Sequence, residues 1–176
     1  MSTISAFKAQ LQGGGARANQ FRVELNFPSF IGSLGSAAGN AAQFLCVASS
    51  LPASTMSEIT ATFRGRPVYF AGDRTFPAWS VTVLNDTNFL IRNALERWSN
   101  GITNYTATNG IMRPSDYQVD MSVHQLDRND TVLKTYRFFD AFPVQIGDIQ
   151  LNFDQGNQIE SYGVSISYNY FTTNNI

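Results

Sequence analysis

The chain has 176 residues, a length that suits one domain, and 43% of them are hydrophobic, which is enough for a core. Lys and Arg total 12 and Asp and Glu total 13, so the formal net charge of −1 argues against a dedicated nucleic-acid binder with a basic patch. Charged residues make up only 14%, well below the usual quarter, which favours a subunit whose surface is largely covered by neighbours.

The N-terminal part of the chain predicts an arm, two strands and a loop. Residues 1–18 are polar and rich in glycine, so we expect a flexible arm that becomes ordered on contact with a partner. Residues 19–27 alternate apolar and polar side chains, which predicts a half-buried strand. The small residues at 32–40 predict a loop, and 43–49 predict a second strand that ends before Pro52.

Residues 54–75 are predicted to form an extended hairpin. Two short β-like runs, 58–63 and 67–70, have apolar alternation too weak for strands that pack on their own core, so we expect the hairpin to reach a neighbouring subunit. Its charges fit either a solvated loop or inter-subunit ion pairing. Ion pairing is favoured, because arginine pairs well with carboxylates at interfaces. The candidate contact residues are Arg64, Arg66, Asp73 and Arg74.

The middle of the chain predicts a strand followed by a helix. Alternation predicts the strand at 79–84, and an apolar stripe with helical spacing predicts the helix at about 88–100. One of residues 86–88 is expected to cap the start of the helix, and Gly101 to end it in a left-handed turn. The stripe consists of Ile91, Ala94, Leu95 and Trp98.

Four further strands are predicted towards the C-terminus. A long hairpin is expected to pair 117–127 with 131–139, and two last strands are placed near 149–153 and 160–171. The elements together predict a mainly β single domain, in which two packed antiparallel sheets form a sandwich or open barrel with one flanking helix. In the final strand, one face carries Ser161, Gly163, Ser165, Ser167 and Asn169 and the other is apolar or aromatic.

The sequence offers little for catalysis or metal binding. Cys46, the only cysteine, excludes an internal disulfide and is interpreted as a buried apolar residue. His124, the only histidine, lacks an indicated nucleophile or second ligand and is interpreted as structural. Asp116 and Asp120 would share one face of a strand, where an outward polar face is favoured over acid–base work or a cation site. We therefore expect no enzymatic activity, cofactor or metal.

The sequence also bears on where the protein is assembled. Its first residues lack a basic region followed by an apolar segment, so no secretion signal is indicated. No apolar run approaches the roughly 20 residues that a membrane span requires. We expect a protein that is made and assembled in the cytoplasm, without a membrane partner.

Several segments, in the right order, resemble one protein family. The stretch AGDRTFPAWSVTVLND, residues 71–86, is interpreted as a turn at 71–74, a strand and a helix start. Almost residue for residue, it resembles the centre of the tail tube proteins of contractile-tailed phages of the T-even type. Leu51-Pro52-Ala53 and residues 142–154 are similar to the family as well, whereas residues 1–15 and the 32–40 loop look distinct.

The resemblance implies a structural subunit of hexameric rings that stack into a hollow tube inside the tail sheath. DNA leaves the capsid through such a tube without specific binding, and the type VI secretion tube protein shares the architecture. One sheet of each subunit is implied to join a continuous barrel that faces the lumen, with the hairpin between subunits or rings. The implied protein partners are further copies, the sheath, the baseplate and the tail terminator. For a neutral or acidic lumen the candidates are Asp116, Asp120, Asp154 and Glu160.

Other functions remain open at this point. Within the same class, the chain fits a secretion-system tube subunit or a tube initiator at the baseplate. From a different class, a monomeric β-barrel of this size would bind a small apolar ligand in an interior lined by aromatic side chains.

Overall fold

A computed structural model describes residues 3–11, 15–107, 109–154 and 156–174. Within these ranges the α-helices are α1 (Ile4–Gln10), α2 (Ser33–Leu45), α3 (Leu90–Ile102) and α4 (Pro114–Tyr117), and a short 3-10 helix spans Ser29–Ile31. The strands are β1 (Phe21–Glu24), β2 (Cys46–Ser49), β3 (Thr55–Phe63), β4 (Arg66–Thr75), β5 (Trp79–Leu84), β6 (Val119–Leu126), β7 (Val132–Ile146), β8 (Ser161–Ser167) and β9 (Tyr170–Thr173).

Strand β7 belongs to two halves of the sheet. Its N-terminal part pairs with β6 on one side and with β9 on the other, while residues 142–146 pair with β8. We call β1, β6, the N-terminal part of β7 and β9 the first half-sheet, and β2, β5, β8 and residues 142–146 the second half-sheet. All these pairings are antiparallel, so the prediction of a mainly β fold with two packed antiparallel sheets is confirmed.

The two half-sheets enclose a core that large side chains fill. The ring of Trp79 in β5 stacks on that of Phe138 in β7, with their centroids 4.3 Å apart. Trp98 of α3 is fully buried, and its indole N–H donates to the carbonyl of Tyr117 at 2.9 Å. Because burial of such apolar surface is the main favourable term in folding, this core holds the halves together.

The predicted central helix is confirmed as α3, displaced by two residues. Its apolar stripe is buried as expected, and a carboxylate oxygen of Asp86 accepts a hydrogen bond from the backbone N–H of Leu90 at 2.8 Å. The prediction for Gly101 is wrong, because this glycine lies inside the last turn of the helix. A Cβ at this position would lie 2.5 Å from the ring of Phe30, so the glycine permits a close contact rather than a left-handed end.

The predicted loop at 32–40 is also wrong, because helix α2 occupies this segment and continues to Leu45. The second strand therefore begins at Cys46 rather than residue 43, and α3 is joined by a second flanking helix. Small side chains allow α2 to lie close to the core: Ala38 and Ala42 have no exposed surface. A Cβ on Gly39 would come within 2.9 Å of the carbonyl oxygen of Leu25, so the approach to the chain near β1 requires glycine.

Three further predictions need correction or completion. Residues 149–153 form no strand, since Leu151 and Phe153 are exposed and have no core to pack against. The turn expected at 71–74 lies inside β4, opposite an irregularity in β3. Residues 4–10 of the expected N-terminal arm form α1, in which no residue is buried, while Gly13 and Gly14 lie outside the described residues.

Helix α2 provides a test of the core. Replacing Ala38 by leucine should lower the free energy of unfolding by about 1–3 kcal/mol, because the added methylenes have no space between α2 and the sheet. The matched variant Ala37→Leu adds the same atoms on the exposed side of the helix and should change stability by less than about 0.5 kcal/mol. Urea unfolding of the two variants measures both effects, and equal stabilities would show that this helix does not pack as described.

Candidate assembly surfaces

The outer face of the second half-sheet is uncharged and mostly small and polar, with Leu84, opposite Ser161, as a larger apolar residue at the end of β5. Its side chains point away from the core because they alternate with buried residues along β5 and β8. Cross-strand pairing places Ser80 beside Ser165, and Thr82 beside Gly163. No residue of this set is charged. The set, which we call the hydroxyl face, is Ala48, Ser80, Thr82, Gln145, Ser161, Gly163, Ser165 and Ser167.

The second half-sheet has a free strand at each edge. Within the described chain, β2 is paired only with β5, and residues 142–146 are paired only with β8. Each edge presents an exposed aliphatic side chain, Val47 on β2 and Val144 on β7. Unpaired backbone groups at a sheet edge favour the addition of another strand, so both edges are suited to pairing with a partner.

The outer face of the first half-sheet differs, because it carries charges in paired arrangements. Arg137 donates to the carboxylate of Asp120 at 2.9 Å. The carboxylate of Glu24 accepts a hydrogen bond from the hydroxyl of Ser122 at 2.9 Å and lies 3.3 Å from Nε2 of His124. The other ring nitrogen of His124 is 2.9 Å from the hydroxyl oxygen of Thr135.

These contacts determine the acidity of Glu24. Partial burial acts to raise the pKa of this carboxyl group. The hydrogen bonds with Ser122 and His124, and electrostatic attraction from the side chains of His124 and Arg22, outweigh that effect, so the net pKa lies below its ordinary value. The arrangement of Ser122, His124 and Glu24 is thus a mutually satisfied polar network on one face of a sheet, which agrees with the structural interpretation of His124.

The hairpin formed by β3 and β4 projects from the body of the molecule. Its side chains are exposed along both strands, apart from a half-buried Gly72. The turn at Arg64 and Gly65 has positive φ at both residues, +48° and +81°, as a two-residue hairpin turn with the native twist requires. Arg64 and Arg66 lie at this tip, whereas Asp73 and Arg74 lie at the other end of β4, so the four predicted contact residues do not form one cluster.

The four carboxylates predicted for a lumen lie on separate surfaces. Asp116 is in the short helix α4 and not in a strand, so the prediction that it shares a strand face with Asp120 is wrong. Proline at the first position of α4 favours the helix at this point. Asp154 lies in the segment between β7 and β8. Glu160 directly precedes β8, and its carboxylate accepts a hydrogen bond from the side-chain amide of Asn85 at 2.8 Å.

The described residues contain little that points to other chemistry. Burial raises the pKa of the Cys46 thiol to about 12, so this group stays protonated and unreactive near neutral pH. Among the described residues, no three His, Cys, Asp or Glu side chains are grouped so that they could hold a metal ion. The interior that a ligand-binding barrel would keep open is filled by Trp79, Phe138 and Trp98.

No helix in the described part of the chain is both long enough and apolar enough to cross a bilayer.

The sequence indicates two features of these surfaces only in part. The alternation of Ser161, Gly163 and Ser165 was visible in β8, but its continuation onto β5 depends on strand pairing. The polar composition of residues 1–18 hides Ile4 and Phe7, whose spacing of three residues is typical of one face of a helix.

Comparisons of the sequence identify relatives along almost the whole chain. The model of a family described as phage tail tube protein matches residues 16–174. The tail tube protein of Serratia phage KSP90 is 28% identical over 170 residues, which cover 96% of this chain and 95% of the relative. Tail tube protein gp19 of Enterobacteria phage T4 is 32% identical over 163 residues, covering 90% of this chain and 92% of the relative.

Solved structures with a similar fold come from contractile injection systems. The tube-terminating cap of the anti-feeding prophage superposes with a TM-score of 0.65 at 16% identity, covering 90% of this chain and 89% of that chain. A chain of the extended sheath–tube complex of an extracellular contractile injection system has a TM-score of 0.56 at 12% identity, with 98% of both chains covered. At these identities the likeness shows the fold alone.

The network around Glu24 predicts a specific dependence of stability on pH. Since the pKa of Glu24 is lowered in the folded state, its contribution is fully present above the ordinary value of 4.5 and is lost as pH falls through the lowered value. The difference in unfolding free energy between the wild type and Glu24→Gln should therefore be largest above about pH 5 and shrink towards pH 3.

Urea unfolding of the unassembled chain at a series of pH values measures this difference. Ser122→Ala removes one hydrogen-bond donor but keeps the carboxylate, so it should remove only part of the pH dependence. A difference between wild type and Glu24→Gln that is constant from pH 3 to pH 7 would contradict the assignment.

Proposed function

The chain belongs to the phage tail tube protein family and is a structural subunit of the virion tail, and from this we propose that its copies form hexameric rings that stack into a tube through which DNA passes. The observation that carries the proposal is the pair of free, complementary edges on the second half-sheet. The tube acts as a passive conduit, and no residue is assigned a catalytic step.

Strand direction makes the two edges complementary. Each neighbouring pair in the second half-sheet is antiparallel, so across its four strands β2 runs opposite to residues 142–146. When β2 of one copy is placed beside residues 142–146 of the next, the new pair is antiparallel as well. The same contact repeated from copy to copy is head-to-tail, and such a contact closes into a ring when the rotation fits.

The dimensions of a closed ring agree with a DNA conduit. Six copies that each contribute four strands give a barrel of about 24 strands. With strands about 4.8 Å apart and tilted by about 40°, its backbone is roughly 45–50 Å across. Side chains about 5 Å deep on each wall leave a bore of roughly 35–40 Å, which admits one DNA duplex.

The hydroxyl face is the surface that lines this bore. It is the face of the second half-sheet that points away from the core, and it carries no charge. Lys or Arg side chains in the bore would bind the DNA phosphates electrostatically, whereas uncharged hydroxyl groups would not. Of the four carboxylates proposed for the lumen, Glu160 then lies at the margin of the bore, and Asp120 lies on the opposite half-sheet.

Sheath, baseplate and terminator proteins are the proposed further partners. The solved structures with a similar fold include a sheath–tube complex, a baseplate and tube-terminating caps, which supports contacts of this kind. The family match and the 32% identity with a phage tail tube protein favour the main tube of a phage tail over a secretion-system tube or a tube initiator.

Disulfide trapping tests the edge-to-edge ring. Directly opposite residues in an antiparallel pair bring their Cβ atoms about 4.5–5.5 Å apart, close to the separation in a disulfide. In a Cys46→Ala background, Ala48→Cys on β2 combined with Gln145→Cys on β7, both on the hydroxyl face, should give a ladder of covalent oligomers ending at six copies on a non-reducing gel.

The single variants Ala48→Cys and Gln145→Cys are the controls for this ladder. Each places its cysteine at only one of the two edges, so neither should produce a ladder. Tubes visible by electron microscopy that give no ladder from the double variant would rule out an edge pairing in which residues 48 and 145 lie opposite each other.

A lysine in the bore tests which face contacts DNA. Ser80→Lys should make assembled tubes retain a short DNA duplex in co-sedimentation at low salt, and the retention should fall steeply as salt rises. The matched variant Thr172→Lys places the same charge on the outer face of the first half-sheet and should retain less DNA. Equal retention by the two variants, or strong retention by wild-type tubes, would contradict a bore lined by the hydroxyl face.

A further inference from the structure

The hairpin of β3 and β4 has one apolar face, which follows from its register. Ile59 pairs with Phe70 and Ala61 with Val68, and opposite residues in an antiparallel pair project from the same face. Phe63 continues this face towards the tip, where its cross-strand partner Arg66 is the one charged residue on the face. The reverse face is more polar and carries Glu58, Thr60, Thr62, Pro67, Tyr69 and Ala71.

This apolar face has no cover within the described part of the molecule. Ile59, Phe63 and Phe70 are each more than half exposed. A two-stranded ribbon with nothing packed on it is marginal in water, because it buries too little apolar surface to offset the entropy of ordering. We therefore expect a partner to cover the apolar face of the hairpin.

Helix α1 is a second uncovered apolar element. Ile4 and Phe7 lie on one side of the helix, Leu11 follows at its C-cap, and all three are exposed. The sequence nevertheless specifies a helix start, since the hydroxyl oxygen of Thr3 accepts a hydrogen bond from the backbone N–H of Ala6 at 3.3 Å. Lys8 is its one charged residue, so the helix has little to keep its apolar side in water.

The two elements match in size and character. The apolar side of α1 extends over about 10 Å, at 1.5 Å per residue. The apolar face of β3 from Ile59 to Phe63 extends over about 14 Å, at 3.4 Å per residue. Each is too small for a stable interface alone, which typically buries about 800 Å² per partner, so each suits one part of a larger contact between copies.

On the basis of the proposed tube, we infer that α1 of one copy packs on the apolar face of the β3–β4 hairpin of another copy. The occupant is a second copy because permanent interfaces between identical subunits are the most apolar class, and a tube built from this chain supplies such an interface. The stretch from α1 to β1, residues 11–20, spans at most about 30–35 Å, which lets the helix reach beyond its own domain.

The hairpin geometry supports a contact between copies rather than within one. A strand of nine residues extends about 30 Å, so the tip at Arg64 and Gly65 lies far from the core of its own copy. In the chain itself, no residue of α1 is buried and the apolar side chains of the hairpin remain exposed.

A mixing experiment tests the contact. One chain carries Cys46→Ala with Phe7→Cys, and the other carries Cys46→Ala with Phe70→Cys. The two are mixed before assembly and treated with a bis-maleimide reagent that spans about 8–10 Å, the distance between packed elements. We expect much of the protein to shift from the monomer band to a covalent dimer that contains both chains, as mass spectrometry of the linked peptides will show.

The matched control replaces Phe70→Cys by Tyr69→Cys, which lies next to it on the opposite face of the same strand. This mixture should remain largely monomeric on the gel. Equal cross-linking by Phe70→Cys and Tyr69→Cys would overturn the inference, because it would show proximity without a preferred face.

The assembly state, seen by electron microscopy of the same samples, separates the two proposals. Tubes that form without a cross-link between the Phe7→Cys chain and the Phe70→Cys chain would overturn the inference and leave the proposed function intact. A link without rings or tubes supports the contact and counts against the tube. The absence of both contradicts both.

Discussion

Strand β7 is the connection on which the rest of the structure depends. Its fifteen residues pair first with β6 and β9 and then with β8, so one strand holds both half-sheets. Phe138, within the same strand, stacks on Trp79 of the opposite half and fills the space between them. A register shift between Pro143 and Gln145 marks the second part of the strand, and irregularities of this kind bend a strand and increase its twist. The hydroxyl face and its free edges are therefore fixed relative to the core without help from another copy.

The outer faces of the two half-sheets differ in how they use charged side chains. On the first half-sheet, Arg137 pairs with Asp120, and Glu24 is held by Ser122 and His124, so charge is balanced locally. The second half-sheet uses hydroxyl groups and glycine instead. In the proposed tube this division gives a physical reason for the low charge content of the chain, since a surface that contacts neighbouring copies or faces DNA would gain nothing from fixed charges.

Segments with large side chains at a regular period were predicted well from sequence. The stripe of α3 and the alternation of β8 are local patterns that the core then buries. Helix α2 was missed because its buried positions, Gly35, Ala38 and Ala42, are too small to appear hydrophobic, although their spacing is helical. The strand expected at 149–153 failed for the opposite reason: Leu151 and Phe153 are large and apolar, but nothing lies beside them to pack against.

The assembly surfaces were less predictable, since they depend on which residues lie opposite each other. Alternation within β3 places Ile59, Ala61 and Phe63 on one side, but the pairing with β4 is needed to show that Phe70 and Val68 extend the same face. Both tryptophans, in contrast, are sealed inside the subunit, and their indole N–H groups donate to the carbonyls of Ser50 and Tyr117. Their fluorescence is therefore expected to follow the folding of a subunit with little response to assembly, so polymerisation can be followed separately by light scattering.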